Sequence, residues 1–336
     1  MKPKIRVVGK TDTGLVRAAN EDSFHLDTDS NVFAVCDGMG GHQAGEVASM
    51  TASDTIDKTF RCFYKSLLDD PDLSLDRTLP PGTDVLAKSI RLANRMICNR
   101  AAQDPELGGM GTTVVAVAFE ADIMSLAHVG DSRAYRLEKD ALIPLTRDHS
   151  WVVEMQDSQK LTAEEASSLV AKNVITRALG VKRSVAIDLR IMKMKPGDIF
   201  ILCSDGLCGF ADDDEIFPVA SRQRDNITQM ADDLIGMAND RGGNDNVTVV
   251  IVQVDEVEES DLPETNVFTL DHENQAVLEA EDAWVTRLSE ASLDEDTDEQ
   301  TPITGTGGKN SKFFLFGIFA LFVIVAVAII YFSQLD

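Results

Sequence analysis

The sequence predicts an α+β fold built as a layered sandwich, and two observations predict it. Over residues 1–254, strand-like runs follow one another while helical stretches stand apart in pairs, which is not the βαβ alternation of a parallel-sheet fold. The 336 residues are 44% hydrophobic, enough to bury a core in one large domain or two ordinary ones.

Taken in order, IRVVGKTD (5–12), SFHLDTD (23–29) and NVFAVCDG (31–38) read as strands. Residues 44–68 carry Ala48, Ile56, Phe60 and Phe63 as a rough apolar stripe and predict a long helix. A loop with Pro71, Pro80 and Pro81 ends it, and 83–103 predicts a second helix. Strands are expected in TTVVAVAFE (112–120), DIMSLAHVG (122–130), SRAYRLEKD (132–140) and ALIPLT (141–146). Residues 151–171 are polar and helix-compatible. Strands resume at AIDLRIMKM (186–194) and DIFILCSDG (198–206), with turns at KPGD and SDG. Helices near 212–222 and 225–240 precede a last strand, NVTVVIVQVD (246–255).

Beyond 254 the periodicity fades. Residues 255–312 hold 17 Asp/Glu against Arg287, Lys309 and Lys312, and are expected to be an acidic, largely disordered linker with at most a short helix around 272–290. The stretch FFLFGIFALFVIVAVAIIYF (313–332) is uncharged and, at about 1.5 Å per residue, reaches roughly 30 Å as a helix, the length of a membrane span. Lys309 and Lys312 precede it and a short tail, 333–336, follows. The positive-inside tendency therefore places residues 1–254 in the cytoplasm, tethered to the inner membrane by a C-terminal anchor. The N-terminal MKPKIRVVGKTDTG lacks the apolar run of a signal peptide.

The net charge of −25 argues against a nucleic-acid groove, which needs clustered Lys and Arg. Five cysteines, with no CxxC pair, form neither a disulfide framework nor a zinc finger and suit a reducing compartment.

Acidic residues recur where an apolar run ends: Asp37, Asp131, Asp205, and Asp245 in a tight turn beside the last strand, with the pair Glu21–Asp22 as a fifth candidate. Each alone is an ordinary turn residue. Brought together, such carboxylates cannot all stay ionised without a cation, and oxygen ligands with no nearby Cys/His cluster select Mg²⁺ or Mn²⁺ over zinc. The glycines after Asp37 and Asp205 permit close backbone approach.

Eight segments occur in order: RAANEDSF (17–24), CDGMGGHQAGEVAS (36–49), GTTVVA (111–116), HVGDSRAYR (128–136), LTRDHSW (145–151), ITRALG (175–180), LCSDGL (202–207) and GGNDNVTVV (242–250). Together they closely resemble the bacterial form of the metal-dependent, type 2C Ser/Thr protein phosphatases, over about residues 5–254. The resemblance implies an αββα four-layer sandwich, two packed antiparallel sheets flanked by helices, with a metal site at one end. By the same resemblance Asp37 would bridge two Mn²⁺ or Mg²⁺ ions and the Gly38 carbonyl would bind one. Asp205 and Asp245 would complete the other's ligands. Glu21 and Asp22 match an acidic pair serving one metal, Asp131 a ligand of a third ion seen in many members, and Arg17 the residue that grips the substrate phosphate.

The implied reaction is attack on phosphoserine or phosphothreonine in proteins by a hydroxide bridging the two ions. A Ser/Thr kinase is the natural counterpart. Where eukaryotic members carry a histidine directly after Asp-Gly, this chain has Met39, which leaves His42 as a weak general-acid candidate. His149 is expected to organise the site or its neighbouring segment, and His128 to pack within its strand. Residues 150–174 correspond to the family's variable flap. The alternative reading is a catalytically weak phosphoprotein-binding scaffold at the membrane.

Overall fold

A computed structural model describes residues 2–40, 43–69, 79–158, 162, 165, 174–261 and 264–270. Within these residues two antiparallel sheets lie face to face, each covered outside by a pair of helices. One sheet has five strands, in the order β1 (Lys4–Asp12), β11 (Val247–Glu256), β10 (Ile199–Cys203), β7 (Arg133–Leu137) and β8 (Leu142–Pro144). The other runs β12 (Thr265–Leu270), β9 (Ile187–Lys193), β6 (Ile123–Val129), β5 (Val114–Glu120), β3 (Val32–Met39) and β2 (Asp22–Asp27), with the short β4 (Gly111–Thr112) paired to β3.

The long helices α1 (Ala44–Asp69) and α2 (Pro81–Gln103) lie on the second sheet. Two shorter ones, α5 (Asp213–Arg222) and α6 (Ile227–Asp240), cover the first. Between these pairs in the chain come α3 (Trp151–Asp157) and the single turn α4 (Asp205–Cys208).

The layering explains why the central strands read as unbroken apolar runs. In β3, Val32, Ala34 and Cys36 pack under α1 and α2, while Phe33 and Val35 point into the gap between the sheets. Phe119 bridges that gap, 5.9 Å from Phe33 on its own sheet and 5.8 Å from Phe200 on the other. On α1 the small residues Ala44, Ala48 and Ala52 let the helix settle close to the sheet before Ile56 and Phe60 fill the wider end. Pro81 opens α2 at the first helical position, where its missing N–H costs nothing.

Two sequence expectations change. The acidic stretch 255–312 reads as a largely disordered linker, and within it Thr265–Leu270 forms β12, antiparallel to β9, with Phe268 and Leu270 half-buried against the helix-covered core. Its apolar residues are few and lie among acids, so composition hid the strand. The SDG at 204–206 reads as a turn in sequence, whereas Asp205 opens α4, with Gly209 N donating to its carbonyl. All five cysteines are free, three of them buried. No helix among the described residues is long and apolar enough to cross a membrane. The expected span at 313–332, the linker from 271 to 312, most of the flap and His42 lie outside the described residues.

Candidate metal centre

The strand ends converge because of pairing. β2 and β3 align Asp22 directly opposite Asp37. In the other sheet β10 and β11 are antiparallel neighbours, so the end of β10, just before Asp205, meets the start of β11, just after Asp245. Face-to-face packing brings both pairs to one end of the sandwich, where Asp37 shares a hydrogen bond with Asp205 and Asp131 lies close by. Arg17 stands at the rim, its Nη2 2.7 Å from Asp245 Oδ2, with Glu21 and Asp205 in its field. Thus seven of the nine sequence candidates, Arg17, Glu21, Asp22, Asp37, Asp131, Asp205 and Asp245, occupy one cluster. Gly38, the eighth, lies beside them on β3.

Crowding and burial set the electrostatics. Burial, aided by Asp22, Asp205 and Asp131, pushes Asp37 well above the usual carboxylate range. Asp22 rises to about 7 through burial and the charges of Asp205 and Asp245, against hydrogen bonds from Thr248 and Ser204. Asp131 also rises to about 7, through burial first and then Asp205 and Asp148. Burial and Asp245 raise Asp205, and burial raises Glu21. Asp131 Oδ1 is buried without a hydrogen-bond partner among the described residues. A cluster of oxygen ligands whose charges oppose one another, with an orphaned carboxylate oxygen, fits hard divalent cations.

Backbone closeness is built in at two glycines. A Cβ on Gly38 would stand 2.2 Å from the Gly45 carbonyl oxygen and 2.4 Å from that of Glu21. One on Gly206 would lie 1.9 Å from the Asn246 carbonyl oxygen. Both meet backbone that cannot yield, so only glycine permits these approaches.

Several supporting residues escaped the sequence reading. Asn246 donates to the carbonyls of Thr13 and Ala19, both at 2.9 Å, and accepts from Glu21 N at 2.8 Å, which fixes the segment bearing Arg17 and Glu21 against β11. Ser204 and Thr248 both donate to Asp22 Oδ2, at 2.8 and 2.7 Å. Asp37 is held through its backbone, with its N–H donating to Thr113 Oγ1 at 3.1 Å and its carbonyl accepting from Thr112 Oγ1 at 2.9 Å. The available signal was polar residues set inside otherwise apolar strands.

His149 does organise the turn that carries Asp131. Its Nδ1 accepts from Gly130 N at 3.0 Å, and its own N–H donates to the Gly130 carbonyl at 2.8 Å. Since Nδ1 accepts, Nε2 carries the proton and donates to Asp188 Oδ2 at 3.1 Å. Arg177 and Thr269 complete the Asp188 carboxylate at 3.0 and 2.8 Å. His128 stacks on His149 with ring centroids 4.4 Å apart, as a strand-packed residue.

A family model described as "Protein phosphatase 2C" matches residues 16–245. The serine/threonine protein phosphatase PstP of Mycobacterium tuberculosis is 37% identical over 253 residues, which cover 74% of this chain and 45% of that protein, so the chain spans less than half of that relative's length. The serine/threonine phosphatase stp of Listeria welshimeri is 34% identical over 247 residues, covering 73% of this chain and 94% of the relative. The crystal structure of the PstP catalytic domain in complex with two manganese ions superposes with a TM-score of 0.63 at 34% identity, over 75% of this chain and 99% of that one. With its two-sheet sandwich and strand-end aspartates, this chain belongs to the protein phosphatase 2C family.

Proposed function

We propose that the chain hydrolyses phosphoserine and phosphothreonine in proteins, using two Mn²⁺ or Mg²⁺ ions and in some conditions a third, and that it works from the cytoplasmic face of a membrane. The observation that carries the reading is the single cluster of raised carboxyls with an exposed arginine at its rim.

Asp37, the Gly38 carbonyl, Asp205, Asp245, Glu21 and Asp22 are the residues that would hold the two ions, with Asp131 serving the third. Bound there, such ions would supply positive charge for the phosphoryl oxygens and an ionised water for attack on phosphorus. Arg17 binds and orients the phosphate. Its planar fork offers two parallel donors, and its side chain, 51% exposed, can exchange the Asp245 carboxylate for a substrate oxygen. Thr112, Thr113, Ser204 and Thr248 hold Asp37 and Asp22 in place, so that little reorganisation accompanies binding.

The membrane tether rests on the apolar stretch 313–332, and it raises the effective concentration of the domain near membrane-bound targets. A Ser/Thr kinase supplies the phosphoproteins such an enzyme consumes. The test is release of phosphate from a phosphothreonine peptide, with Mn²⁺ and with EDTA, beside Asp205→Asn. Metal-dependent release that disappears in the variant is expected. Phosphopeptide binding with no release even in Mn²⁺ would favour the scaffold reading instead.

A further inference from the structure

β2 is the outermost strand of its sheet, and its two-residue period divides its side chains between two faces. Phe24 and Leu26 join the core between the sheets. His25 and Asp27 therefore face the helix layer, where α1 presents Asp57. One ligand atom from each of His25, Asp27 and Asp57 lies within 4.8 Å of the others.

Two of these groups carry unmet capacity. Asp27 Oδ1 accepts from the amides of Asp29 at 2.7 Å and Ser30 at 3.1 Å, whereas its Oδ2 is buried with no partner among the described residues, in a residue 7% exposed. His25 Nε2 is likewise buried without a hydrogen bond, 3.4 Å from Asp57 Oδ1. Burial holds His25 below the ordinary imidazole range, against the pull of Asp57 and Asp27, so the ring is neutral and offers a lone pair. Arg61 reaches Asp57 Oδ1 at 2.8 Å and offsets one carboxylate, with Asp54 adding a further negative charge nearby. Negative charge around a neutral imidazole and an orphaned carboxylate oxygen is the setting of a cation site.

We propose that His25, Asp27 and Asp57 bind a divalent transition metal of the zinc class, with water in the fourth position. An imidazole with two carboxylates suits tetrahedral zinc, whereas Mg²⁺ and Ca²⁺ favour all-oxygen shells. The strand-end cluster is all oxygen, so the two sites select different ions. They are also apart: Gly45 of α1 lies against Glu21, and Asp57 is twelve residues further on, about 18 Å along the helix. An ion here pins the edge strand, whose other end carries Asp22, to α1.

The second histidine cluster, His128, His149 and Asp188, has the same compactness and does not suit a metal. His149 Nε2 carries the proton, and the Arg177 guanidinium lies 3.2 Å from it.

The test is equilibrium dialysis of the full chain against Zn²⁺ with Mg²⁺ in large excess, followed by elemental analysis. One zinc per chain is expected for the wild type and for Asp205→Asn, and none for His25→Gln or Asp57→Asn. Zinc should raise the melting temperature of the wild type but not of those two variants, while their activity with Mn²⁺ and their zinc-free melting temperatures stay near wild type. Asp57 is only partly buried and asparagine keeps its shape, so Asp57→Asn keeps the test decisive should His25→Gln fold poorly. Zinc retained by a folded Asp57→Asn, or no zinc bound by the wild type, overturns the site.

Discussion

Asp22 owes its place to two hydroxyls from the opposite sheet, Ser204 at 2.8 Å and Thr248 at 2.7 Å. Thr248→Val keeps the shape and removes one donor. Supporting hydrogen bonds around metal ligands are worth on the order of 10–100-fold in affinity, so Mn²⁺ titration of this variant should show weakening in that range. Arg17 makes a different prediction, because its guanidinium is exposed and, among the described residues, hydrogen-bonds only Asp245. Arg17→Ala should raise KM for phosphopeptide by roughly 10-fold or more, the loss of a charged bidentate contact at about 1.5–3 kcal/mol, while leaving the fold intact. An unchanged KM would remove Arg17 from phosphate binding. The aspartates were legible because each closes an apolar run or sits in a turn beside one. Asn246, Ser204 and Thr248 were not, because what they hold depends on which strands become neighbours, and Ser204 lies 182 residues from Asp22 in sequence.

β12 shows the same limit at the scale of an element. Strands buried on both faces, such as β3 and β5, announce themselves by unbroken apolar runs. An edge strand packs with one face only, and TNVFTL sits among acids, so its pattern is weak. It has two attachments: Phe268 and Leu270 against the core, and the Thr269 hydroxyl on Asp188, which in turn holds His149 and the Gly130–Asp131 turn. A chain ending at 270 should therefore be more stable than one ending at 254. Half-burial of two large apolar residues contributes roughly 2 kcal/mol, or about 4–8 °C in melting temperature for a domain of this size. Equal melting temperatures by calorimetry would mean that β12 adds nothing to the domain.

For the whole molecule, the sandwich forces strand ends from two sheets into one crowded cluster, and this links stability to pH. In the metal-free folded state Asp22 and Asp131 hold their protons up to about pH 7, whereas in the unfolded chain a carboxyl releases its proton near 3.9. The folded state thus binds more protons between those values. This stability is full below about pH 4 and is lost as pH rises through 7. His128 acts in the opposite sense on the acid side. Burial first, then the neighbouring His149, pushes it down to about 3, so its contribution is present above 6.5 and is lost as pH falls. Between pH 4 and 6.5 the one histidine offsets only one of the two carboxyls, so stability still falls as pH rises. From 6.5 the carboxyls act alone, at a slope on the order of 1 kcal/mol per pH unit for each group that fades as pH passes 7. In EDTA the chain should therefore melt several degrees lower at pH 8 than at pH 6. Excess Mn²⁺ should reverse that slope, because bound cations favour the ionised carboxylates and their binding releases the protons. His128→Gln should steepen the fall of stability between pH 4 and 6.5 and leave the alkaline side untouched. Thermal melts at pH 5, 6, 7 and 8, with and without Mn²⁺, decide the matter: parallel pH slopes in both conditions would mean that these carboxyls are not where the cations bind.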